Sequence, residues 1–200
     1  MRSRSCSLAA AVCAALLLAP AARAATVRGP ADVAALTAAA DAVLRARVTA
    51  VTSGWAGGDP ASGVIVTAVV LEPLEWWKGS APGGGIGLQV NVPGGAVGEW
   101  SQTVQGAAAF HAGEEVVVFL SRRRAPAAGG PALFEVERWA LGKFGVGAAT
   151  PGGRVRAARD RTGLSCVGCG EGEQDDLPLD ELRGRVLEAA QRSPAQRSVK

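Results

Sequence analysis

The chain has 200 residues, 27 of them glycine, with 21 Lys and Arg against 18 Asp and Glu. Three of the bases, Arg2, Arg4 and Arg23, stand in the first 24 residues, so the rest of the chain is close to neutral and argues against nucleic acid or anionic lipid as a partner. One histidine and no tyrosine leave little catalytic equipment.

Residues 1–24 read as a secretory leader. Arg2 and Arg4 give a positive start, Leu8 to Leu18 an apolar run, and Ala22-Arg23-Ala24 a small-x-small site that places cleavage before Ala25. The apolar run is shorter than the roughly 20 residues of a membrane span, and no second run follows, so no integral membrane segment is expected in the mature chain. Its expected address is periplasmic or extracellular.

Residues 25–41 are expected as an N-terminal helical segment, with a short helix from about Ala31 to Ala39 that has Pro30 near its start and Asp32 in its first turn. From Ala42 the period changes. In "DAVLRARVTAV" Leu44, Ala46, Val48 and Ala50 share one face and Arg45, Arg47 and Thr49 the other, the alternation of a half-buried strand. "SGWAGGDPASG" reads as a loop and "VIVTAVVLEPLEWWKG" as a long strand in which Pro73 sits at an edge or bulge. "IGLQVNV", "EVVVFLS", "LFEVERW" and "GKFGV" are further strands, with a long glycine-rich loop between Val92 and Glu115.

Residues 42–147 are thus expected to form one β domain and residues 148–177 an Arg-rich linker carrying "CVGC". Residues 178–192 are expected as a helix that packs on or caps that domain, and 193–200 as a disordered tail. In the helix Leu179, Leu182, Val186 and Ala189 fall on one face, and Asp180 and Glu181 in the first turn suit the dipole.

Cys6 and Cys13 leave with the leader, so Cys166 and Cys169 remain as one pair in a compartment where disulfides persist. A small-loop disulfide is the leading expectation. A redox pair wants a helix start and a thiol with a lowered pKa, whereas this one is followed by "GEGEQDD"; metal or intermolecular linkage is the other alternative. Zinc needs about four ligands, and His111 is the only histidine. His111 is read as a turn residue, and Glu72, Glu75, Glu135 and Glu137 as the solvent face of strands. "GGGIG" and "VPGGAVG" open no helix after a strand and read as turns, and Arg122 to Arg124 as a solvated loop. No catalytic residue, metal ligand or cofactor is assigned.

Five tryptophans are the feature that marks a binding surface. Trp76 and Trp77 are consecutive on a strand, so they point to opposite faces with at least one exposed. Trp100, with Pro93, Gly94 and Gly95 in the same glycine-rich stretch, completes the candidate surface for a protein or small ligand.

The succession "LRARVTAVTSGWAGG", "VTAVVLEPLEWWKGSAPG", "VNVPGGAVG", "FHAGEEVVVFL" and "WALGKFGV", from about Ala42 to Val146, resembles a family of uncharacterised exported bacterial proteins. Its most specific pieces are Val92-Pro93-Gly94-Gly95 and Gly113-Glu114-Glu115 leading into Val116 to Leu120. The resemblance implies a mostly β fold, a small OB-like β-barrel, with a short N-terminal and a C-terminal helix. It implies export but no activity. The barrel is also distantly similar to the netrin-like domain of metalloprotease inhibitors, which chelate the protease zinc through an N-terminal cysteine; the expected mature chain begins Ala25-Thr26-Val27 instead. The leading expectation is a non-catalytic exported binding or interaction module. The alternatives are a thiol-disulfide oxidoreductase using Cys166 and Cys169, and an envelope protease inhibitor or protease-associated protein.

Overall fold

A computed structural model describes residues 25–81, 87–123, 133–147, 153–169 and 175–192. Residues 1–24, Pro82 to Ile86, Arg124 and the stretch from Ser193 lie outside them. The described chain is mostly β with two helices: β1 (Ala25–Arg28), α1 (Val33–Ala39), β2 (Ala42–Trp55), β3 (Ile65–Lys78), β4 (Leu88–Pro93), β5 (Gly95–Val97), β6 (Trp100–Gln102), β7 (Glu115–Arg123), β8 (Leu133–Val136), β9 (Lys143–Val146), β10 (Arg156–Ala158), β11 (Leu164–Val167), β12 (Asp176–Pro178) and α2 (Leu179–Arg192).

The main sheet runs β12-β10-β9-β7-β2-β3-β4-β8, and β8 pairs again with β7, so β7, β2, β3, β4 and β8 close into a ring. Every pairing in the ring is antiparallel except β4 with β8, which meet in parallel at Val90 and Phe134. Pleating sends alternate side chains inward: Leu44, Ala46 and Val48 from β2, Val69 and Leu71 from β3, Leu88, Val90 and Val92 from β4, and Val116, Val118 and Leu120 from β7 make the inner core. The odd partners on β7, Val117 and Phe119, point outward yet are equally buried, because α1 and α2 lie over them with Val33, Leu36, Leu182 and Val186. A strand buried on both sides explains the unbroken apolar run of β7.

Local chemistry sets the element ends. Asp32 is the N-cap of α1 rather than a first-turn residue, its carboxylate accepting the Ala35 N–H at 2.7 Å. Lys78 Nζ donates to the Thr37 and Ala40 carbonyls at the other end of α1, both at 2.6 Å. Pro73 sits at a register shift between β2 and β3 that leaves Leu74 extra and exposed, and β3 pairs β4 only over Val66 to Leu71. The missing N–H of Pro73 therefore interrupts no ladder to β4.

Four expectations change. β2 continues through Ser53 and Gly54 to Trp55, and a register shift between Val48 and Ala50 takes Ala50 off the inner face. The glycine-rich stretch after Val92 is not structureless: β5 and β6 form a hairpin over the ends of β2 and β3, and Ala108 and Phe110 enter the inner core. β8 stops at Val136 because Arg138 and Trp139 adopt left-handed φ values of 49° and 61°, a turn costly for residues with a Cβ. The segment expected as a linker carries β10 and β12, which extend the main sheet, and β11, which pairs in parallel with β1.

Arg159 is the hub that ties this last segment down. Its side chain is 2% exposed, stacks 4.6 Å over the Phe144 ring, lies 3.0 Å from the Asp175 carboxylate and donates to the Ala31 and Leu141 carbonyls. Burial lowers its pKa, and Asp175 opposes that shift.

Candidate functional site

The outer face of the ring divides in two. Beneath α1 and α2 it is filled by Val43, Trp77, Val117 and Phe119. Beyond them, over the second half of β2, the first half of β3 and β4, no described helix covers it, and an open groove of about 410 Å³ lies there.

The register builds the groove. Thr52, Ala68 and Asn91 stand in one row across the three strands, and Gly54, Val66 and Pro93 in the next. Ala68 and Gly54 keep the floor low, and Gln89, two residues from Asn91 on β4, falls on the same face. Gln89 Nε2 donates to Asn91 Oδ1 at 3.1 Å. Trp55, Ala56 and Gly57 form one wall where β2 ends, and the chain turns through left-handed φ values at Gly57 and Gly58. None of the lining side chains is ionisable.

Trp100 of β6 belongs to the hairpin that packs on the opposite face, where Ser53 and Trp55 stand in register with Thr67 and Ile65. Its indole lies edge-on to Trp55, with centroids 6.4 Å apart at 65°, and it is 69% exposed, well above the other tryptophan among the exposed large hydrophobics, Trp139 at 44%. Two contacts hold the hairpin that carries it: Gln102 Oε1 accepts the Ile65 N–H at 2.8 Å, and Thr67 Oγ1 donates to the Gly94 carbonyl at 2.7 Å.

Of the surface proposed from sequence, Trp100 alone keeps a large apolar face in solvent. Trp76 and Trp77 do point to opposite faces, but neither is exposed: Trp77 is 4% exposed beneath the helices and Trp76 packs against the inner core. Two layers of packing account for both, one inside the ring and one under the helices. Gly94 and Gly95 act by making room. A Cβ on Gly94 would meet the Gln102 carbonyl at 2.6 Å, and one on Gly95 would collide with the Ser53 and Thr67 hydroxyls. They let β4 turn tightly into β5, with Pro93 exposed at the corner. Trp55, Gln89 and Asn91 were missed. The outward alternation of Gln89 and Asn91 in "LQVNV" was the available signal, but nothing in the chain order brings Trp55 to Trp100.

Cys166 and Cys169 form a disulfide, with Cα atoms 5.7 Å apart, that joins β11 to the turn after it. Cys169 is buried with Val27, Ala31 and Leu141, and its carbonyl accepts the Ala31 N–H at 3.4 Å. Cys166 lies in β11, and Cys169 packs beside Ala31, one residue before the N-cap of α1.

The remaining candidates have structural neighbours. His111 lies in the turn before β7 with its side chain 80% exposed, and its N–H is capped by Glu114 at 2.8 Å. Glu75 pairs with Arg183 of α2 at 2.7 Å; the Trp77 indole and the Arg183 guanidinium hold its carboxyl below the ordinary glutamate range. Glu135 pairs with Arg123, and Glu137 accepts the Ser121 hydroxyl. Arg122 lies over the Phe134 ring. No described helix is long and apolar enough to cross a membrane.

No protein-family model matches the chain, and no curated protein matches it significantly.

Proposed function

We propose that the protein is a non-catalytic exported binding module, an OB-like β-barrel of the exported bacterial family that its VPGG and GEEVVVFL stretches resemble, acting in the periplasm or outside the cell. One observation carries the binding reading: Trp100 holds most of its indole in solvent, braced edge-on against Trp55. Such an indole offers a partner a large apolar face and an N–H donor, the combination that enriches Trp at interfaces. The closed order of five strands supports the barrel, and the leader before β1 supports export.

The cysteines fit a staple in this reading. Cys169 is buried and the bond joins a strand to its own turn, whereas a reactive thiol wants exposure. The test is the exported protein itself. Intact mass should show loss of residues 1–24, and thiol trapping in glutathione buffers should give a potential below about −300 mV, as for structural disulfides. A potential between about −120 and −200 mV, the range of oxidising catalysts, makes the cysteines the active site and overturns the reading.

A further inference from the structure

We propose that the unpaired edge of β2, from Ala50 to Trp55, pairs antiparallel with the same edge of a second copy of this chain, with the twofold axis passing through Ser53. This inference goes beyond the binding reading above, because it stands on the backbone of β2 and not on Trp100.

The register leaves that edge open. β2 pairs with β7 only from Ala42 to Arg47, and the last bonds on that side join Val48 to Gly113 and Glu114. From Ala50 to Trp55 its one strand partner among the described residues is β3, in unbroken register. β5 pairs with β6 and with no strand of the main sheet, and its hairpin lies over the face that carries Ser53 and Thr67. Antiparallel bonding alternates along a strand. The Ala56 N–H donates to the Val64 carbonyl at 2.8 Å, so Gly54, Thr52 and Ala50 also turn their backbone groups toward β3. Val51, Ser53 and Trp55 therefore direct N–H and C=O away from it, with no backbone partner among the described residues.

Soluble proteins blunt such an edge with Lys, Pro or an inward-pointing charge. Here the run from Val48 to Gly58 has no charged residue and no proline, and the bulge at Thr49 lies before the open stretch. The edge also complements itself. With Ser53 on the axis, Val51 stands opposite Trp55 of the other copy and Thr52 opposite its Gly54. An aromatic facing a β-branched residue is a favourable cross-strand pair, and Val51, 37% exposed, gains cover. Gly57, Gly58 and Gly113, where each strand end meets the other copy's turn, have open space around them. Charge favours the antiparallel sense. It brings the exposed Arg47 end of one copy to the exposed Asp59 end of the other, so that Arg47 lies between that aspartate and Glu72, its own neighbour on β3. Parallel pairing would set like ends together.

The test uses the purified mature protein, with sedimentation velocity across a concentration series and amide hydrogen exchange on the same samples. A dimer should form as concentration rises, and exchange at Val51, Ser53 and Trp55 should slow with it by about tenfold or more, while Ala50, Thr52 and Gly54, already bonded to β3, change much less. Thr52→Lys puts a like charge on each copy close to the axis and should weaken dimerisation about tenfold or more. Ser53→Pro removes the central donor and should weaken it further; if that variant does not fold, Thr52→Lys, at an exposed position, decides. A monomer at every concentration overturns the inference, and so does a dimer whose edge amides stay fast or that Thr52→Lys leaves intact. If the protein stays monomeric and an uncharged extended peptide slows the same amides, the edge takes a foreign strand and the second-copy assignment falls. The binding reading survives each of these failures, because it rests on Trp100.

Discussion

The outer face of the ring is one pleated surface used in two ways. Where the start of β2 pairs with the end of β7, the outward residues Val43 and Phe119, with Val117 beside them, are fully buried under α1 and α2. Further along β2, where it pairs with β3 alone, the outward residues are Thr52 and Gly54, opposite Ala68 and Val66, with Asn91 and Gln89 beyond. The same pleat is a hydrophobic seat at one end and an uncharged groove at the other. Large aliphatic and aromatic groups repay cover by a helix, whereas small residues beside amides gain nothing from cover and stay open.

That contrast is broken most severely at the covered end. Phe119→Ala removes a fully buried ring that packs on Phe144 at 5.9 Å, and should cost about 4 kcal/mol in urea unfolding followed by circular dichroism. Arg159→Ala comes next, removing the guanidinium that pairs with Asp175 and holds the Ala31 and Leu141 carbonyls. The expected loss is about 3 kcal/mol by the same measurement, as for one half of a buried ion pair. In the opposite direction, Gly184 on α2 has open space where a Cβ would stand, so Gly184→Ala should raise stability by about 1 kcal/mol in the same assay. At the open end Trp100→Ala should change stability by less than about 0.5 kcal/mol while abolishing most partner binding. A loss of several kcal/mol there would make Trp100 part of the core and erase the contrast.

Acid titration sharpens the same comparison at its boundary, where α2 meets β3. The Glu75 carboxyl has a pKa below its ordinary value in the folded protein. Its contribution is therefore present above the ordinary glutamate pKa and is lost as pH falls through the folded-state value. Glu75→Gln should flatten stability on the acid side only, a small effect because the carboxylate is partly exposed.

Much of the strand content was legible because period-2 alternation records a half-buried face: Leu44, Ala46 and Val48, and Leu88, Val90 and Val92, all lie inward as their spacing requires. The C-terminal helix was legible for the same reason at period 3.6, with Leu182, Val186 and Ala189 buried. Trp76 and Trp77 were misjudged as surface because alternation says that two faces exist, not that a helix covers one of them. The hairpin of β5 and β6 was missed because its glycines serve contacts with Ser53 and Thr67, distant in the chain.

The sequence by itself determined the β-rich character, the faces of the regular strands, the span of α2 and the single cysteine pair beyond residue 24, since each is written in local periodicity or composition. Tertiary structure alone decided that five strands close into a ring, that Arg159 joins three segments, and that Trp55 and Trp100 meet. Those outcomes depend on contacts between residues far apart in the chain, where register and bulges, rather than any local pattern, set which side chains become neighbours.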